Sequence, residues 1–142
     1  MPMTLKQLQL YTTRDRALLS REVQVTGIQK KMIKPAQRRK VIATTFSPFN
    51  PKTGARISKP PRYKTEIESL AEENKPISKS YVRVSCSCGD WWSHWEYAVN
   101  KKGAAEIKYS NGEPPVVTNP SMIPGMCKHL YALARIIQAS NW

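Results

Sequence analysis

Two short motifs hold all three cysteines of this 142-residue chain and one of its two histidines: Cys86-Ser87-Cys88 and Cys127-Lys128-His129, with 38 residues between them. Zinc binds tetrahedrally to thiolate sulfur and imidazole nitrogen, and a structural site takes four such ligands with no open position. Cys86, Cys88, Cys127 and His129 supply a Cys3His shell with no cysteine left over. Two other readings of the thiols stand beside it. Free cysteines in a reducing compartment behave as small buried hydrophobes, and a secreted protein could pair them as a disulfide. The odd count argues against a disulfide framework.

The elements that would carry these ligands are legible nearby. Residues 81–88 (YVRVSCSC) alternate Val82, Val84, Cys86 and Cys88 with Arg83, Ser85 and Ser87, the period-2 pattern of a half-buried strand. Pro124-Gly125 precedes Cys127, and Leu130, Leu133, Ala134 and Ile137 follow at helical spacing. That predicts an amphipathic helix with Cys127 and His129 in its first turn, where the positive end of the helix dipole favours a thiolate. Gly89-Asp90 reads as a tight turn, and Trp91 to Tyr97 as a second strand returning to form a hairpin. On a strand Trp91 and Trp95 share one side and Trp92 the other; on a helix all three would share a face. At least two of the aromatics should fill the core around the metal, Trp92 or Trp95 among them, and Trp91 is a candidate partner contact. His94 reads as a surface or hydrogen-bonded histidine, with replacement of a metal ligand as the alternative.

A Cys-x-Cys followed, after an insert, by a Cys-x-His at the start of an apolar helix resembles the SWIM zinc finger over roughly residues 81 to 138. The resemblance implies a small zinc-bound fold that binds DNA or proteins within larger machines, and it names no partner. The insert is long for that family and carries Gly103, Gly112, Pro114, Pro115, Pro120 and Pro124, which predicts an added loop or hairpin. Ser110 to Leu130 (SNGEPPVVTNPSMIPGMCKHL) is also similar to small SWIM-type proteins of tailed bacteriophages, which implies a virion or the cytoplasm of an infected bacterium as the setting.

Charge divides the chain. Residues 1–64 hold 15 of the 23 lysines and arginines against only Asp15 and Glu22, which accounts for the whole net charge of +13. Lys30, Lys31, Lys34, Arg38, Arg39 and Lys40 form the densest cluster, among prolines and scattered apolar residues. Such a segment buries too little apolar surface to offset its own ordering entropy. Residues 1–64 therefore read as a basic, proline-rich extended arm, 65–80 as a linker and 81–142 as the zinc module. Nucleic acid phosphates, the acidic surface of another protein in a large assembly, or water alone would satisfy the arm. The alternating stretches Arg21 to Ile28 and Lys40 to Phe46 favour strand addition to a neighbour or to the finger itself.

No apolar run approaches the 18 or so residues that cross a bilayer, and Met1 to Leu10 has no charged-then-apolar signal pattern. A soluble protein of a reducing compartment, with no membrane partner and no small-molecule substrate, is expected. An enzyme reading fares poorly. His94-Trp95-Glu96 with Pro124-Gly125-Met126-Cys127 is similar to half of a zinc-deaminase signature, but Cys127 is followed by Lys128-His129 instead of a second cysteine. Phosphate-cradling glycine loops and nucleophile elbows are also missing. The expected protein is thus α+β and non-enzymatic: a zinc-stabilised β-hairpin plus C-terminal helix, with a long extended N-terminal arm.

Overall fold

The computed structural model describes residues 2–35, 37–50 and 52–142. In chain order it has helices α1 (Leu5–Tyr11) and α2 (Arg14–Leu19), strands β1 (Gln24–Ile33), β2 (Arg38–Phe46), β3 (Tyr63–Ser69) and β4 (Val82–Cys86), then helices α3 (Glu96–Lys101) and α4 (Lys128–Ser140). The four strands make one antiparallel sheet in the order β1-β2-β3-β4. Helix α4 contacts all four strands, giving a two-layer α+β architecture.

The core follows from the alternation on the strands. Val41 pairs with Ile67 and Ile67 with Val84, while Ala43 pairs with Thr65 and Thr65 with Cys86. These rows are buried. Against them α4 presents Leu130, Leu133, Ala134 and Ile137, all buried as the helical spacing predicts. The opposite face of the sheet carries charge. There Lys40, Lys64 and Lys108 lie within 3.1–3.6 Å of the carboxylate of Glu66, and Arg83 bridges Glu68 and Glu106.

Residues 1–64 are not an extended arm. Thr4 and Gln7 form a capping box that starts α1, and Leu5 and Leu8 are fully buried in the same core cluster as Leu130 and Ile137. Strands β1 and β2 form a hairpin that extends the sheet, so the alternating stretches pair with each other and, through β2, with β3 of the same chain. Strand β3 runs across the expected 64/65 boundary and pairs on both sides. The scattered apolar residues of this half cannot build a core alone, but Met3, Leu5, Leu8, Val41 and Ala43 lie on faces that join the second half's core. The expectation of separate arm, linker and module therefore gives way to a single core.

The expected aromatic hairpin strand is also corrected. Asp90 is helical, and a π-turn over Trp91–Trp95 leads into α3. Trp91, Trp95, Ala98 and Val99 recur at helical spacing and are all buried. Trp92 points outward and is 45 % exposed. Trp91 is therefore a core residue, not a partner contact, and β4 is an edge strand whose free side meets Met3 and Ala104. From Lys102 to Cys127 the insert runs as an irregular loop without helix or strand. Among the described residues no helix is long and apolar enough to cross a membrane.

Candidate metal centre

Cys86 ends β4, Cys88 lies in the bend that follows, Cys127 caps the N-terminus of α4 and His129 sits in its first turn. The sheet and helix thereby bring the four residues together, with one ligand atom from each lying within 4.8 Å of the other three. A tetrahedral ion with metal–sulfur bonds near 2.3 Å has ligand–ligand edges of about 3.8 Å, so the cluster matches that size. All four residues are buried.

Two further observations fit a metal. Both ring nitrogens of His129 are buried without a hydrogen-bond partner, which is costly for an imidazole unless one of them binds an ion. The thiols are also interlocked. Burial pushes the Cys86 thiol up, but hydrogen bonds from Cys127 and Cys88 outweigh it and hold Cys86 well below the ordinary thiol range. Cys127, buried and placed beside that anion, is pushed well up. A dication bound among the three sulfurs would displace their protons.

Neighbouring groups fix these ligands. The backbone N–H of Trp91 donates to Cys88 Sγ at 3.4 Å, and Thr65 Oγ1 lies 3.8 Å from Cys86 Sγ. The Tyr63 ring packs against the imidazole of His129, with centroids 4.9 Å apart. Burial raises the Tyr63 pKa, and the negative charge at Cys88 and Cys86 adds to this. From the N-terminal half, Arg16 makes a two-pronged ion pair with Asp90, two residues beyond Cys88, at 3.1 and 2.7 Å. Thr12 Oγ1 accepts from the N–H of Met126, next to Cys127, at 3.0 Å. Gly125 lies so close to Trp95 and Thr12 that an added Cβ would stand 2.6 Å from Trp95 Cζ3 and 3.1 Å from Thr12 Cα.

His94 is half-buried beside Trp95 and stands outside the ligand cluster. Glu96 is fully buried and has a structural partner set: its carboxylate accepts from Trp91 Nε1 and from the backbone N–H groups of Lys108, Tyr109 and Ser110 at 2.9–3.1 Å. It anchors the insert to the aromatic helix. Its partners are mostly backbone groups, which carry no sequence signal.

The basic cluster splits. Arg39 Nη1 donates to the Trp142 carbonyl at 2.6 Å and Arg39 Nε to Asn74 at 2.8 Å, while Lys40 pairs with Glu66. Arg38 is half-buried. Lys31 and Lys34 remain exposed on the hairpin, and Lys30 is exposed with its ammonium 5.8 Å from the Trp142 ring centroid. Compared with protein-family models, curated proteins and solved structures, the chain finds no match.

Proposed function

We propose that this chain is a non-enzymatic, zinc-stabilised interaction and scaffolding protein, a structural component of a phage-like virion or another large assembly. The observation that carries the reading is the convergence of Cys86, Cys88, Cys127 and His129 in a buried cluster. These donors would hold Zn2+ with no coordination position left for a water or substrate, so the ion would supply folding free energy instead of activating water. A Cys-x-Cys that begins at the last residue of β4 and a Cys-x-His at the N-terminus of α4 support a SWIM-like centre, and the setting is carried over from the resemblance of Ser110 to Leu130 to small phage proteins. The exposed apolar residues Trp92, Val116 and Val117 suit contact with other proteins.

A second reading is a nucleic-acid-binding accessory protein. It is favoured by Lys30, Lys31 and Lys34, which stand exposed on the hairpin with no acidic side chain within 4.0 Å among the described residues. Sedimentation of a lysate of the source, with and without nuclease, separates the two. The scaffold reading predicts that the protein travels with particles and stays there after nuclease. Release by nuclease, with steep log-linear loss of affinity as salt rises, would overturn it in favour of the second.

A further inference from the structure

The outer edge of β1 is open. Strand β1 is terminal in the sheet and pairs only with β2. Among the described residues no other backbone or side chain bonds to the main chain of Gln24–Ile33. Every second residue of this ten-residue strand therefore turns an unpaired N–H and C=O to the open side, the template that an added strand needs.

Beside this edge runs a groove of about 730 Å3 between the first half of β1 and the outward side of α4. Its lining is mixed: Val23 and Val25 from the strand side and Ala132, Ile136 and Ala139 from the helix are apolar, and Ser20, Gln24, Gln138 and two arginines lie among them. A strand laid along β1 would turn alternate side chains into this groove and the rest toward solvent. The bulge between Thr26 and Gln29, where Gly27 has φ +59°, follows directly on Val25, the last β1 residue that lines the groove.

The charge around it selects the occupant. Arg21 and Arg135 line the groove, and Lys30 and Lys31 continue along the exposed strand. None of the four has a carboxylate within 4.0 Å among the described residues. A second copy of the chain would bring another +13 to the same edge, and lysines on an edge strand oppose self-pairing. We infer that β1 and the groove beside it dock an extended partner segment of alternating apolar and acidic residues, added as a fifth strand. This rests on the interaction reading above and names the surface and chemistry through which it would work.

The test titrates the full chain with a labelled, end-capped decapeptide of alternating valine and glutamate. Zinc content and circular dichroism are measured on the same sample. Binding is expected with protection of the Gln24–Lys31 amides from hydrogen exchange. The double substitution Arg21→Glu, Arg135→Glu should weaken it by roughly tenfold or more, and Ile136→Glu, at an exposed position, should weaken it without altering the fold. A folded, zinc-loaded protein that ignores the peptide, or that binds alternating valine–lysine or serine–glutamate peptides equally well, would overturn this inference alone. Displacement of the peptide by oligo(dT) would reassign the surface to nucleic acid, and protection of the same amides through peptide-free dimerisation would reassign it to a second copy. A sample that folds without zinc would overturn the interaction reading and this inference with it.

Discussion

At the residue scale, the cluster explains why single side chains far apart in sequence should act as a unit. Cys127→Ser removes a ligand and leaves an incomplete shell. Zinc should be lost and the fold should collapse, since metal binding and folding are linked; elemental analysis and far-UV circular dichroism check this. Cys88→Ser should behave alike. Gly125→Ala tests the neighbourhood instead of the ligands. With no room for a Cβ between Trp95 and Thr12, the Cys127 segment must shift, and a loss of about 1–3 kcal/mol by chemical denaturation is expected. Glu96→Ala would strand the indole N–H of Trp91 and three backbone donors. The buried Trp91 N–H alone should cost about 1–3 kcal/mol, and the part-buried loop donors add to it as far as water does not replace the carboxylate, so a clear loss by chemical denaturation is expected.

At the element scale, the tryptophans separate core from surface. Trp91→Ala and Trp95→Ala should each cost about 3–5 kcal/mol, whereas Trp92→Ala should leave the melting curve nearly unchanged. Strand β4 and helix α4 were legible because their ligands and apolar positions share one period. The aromatic segment was legible too, since Trp91, Trp95, Ala98 and Val99 keep helical spacing, but Gly89-Asp90 also suits a turn and drew the reading toward a strand. Strands β1 and β2 showed their alternation, yet nothing local says that β2 also pairs with β3, with partners 18 to 28 residues downstream (Thr45 with Tyr63, Lys40 with Glu68). The sheet's charged face predicts a pH response. Burial raises the cost of charging Glu66, but the bond and charge of Lys108, with Lys40 and Lys64, outweigh this and hold its carboxyl below its usual value of 4.5. A carboxylate depressed in the folded state adds stability above pH 4.5 that is lost as pH falls through the lower, folded value. Denaturation with excess zinc from pH 3 to 7 should show this acid-side loss in the native chain and less of it in Glu66→Gln.

At the scale of the whole molecule, the basic half and the half that carries the candidate metal site share one hydrophobic core. The N-terminal elements put Leu5 and Leu8 into the core, clamp Asp90 through Arg16 and hold Met126 through Thr12. Composition could not reveal this, because a sparse apolar pattern reads as disorder until the surface that completes it is known. Removing residues 1–64 should therefore abolish zinc binding and the cooperative transition, where a separable arm would leave a folded finger. The most direct measurement is the zinc content of the purified chain, followed by chelation under a circular dichroism readout. One equivalent of zinc, with unfolding on its removal and recovery on its return, is the predicted result. A chain that is fully folded and metal-free, and whose transition is indifferent to chelator, would contradict the account at its centre.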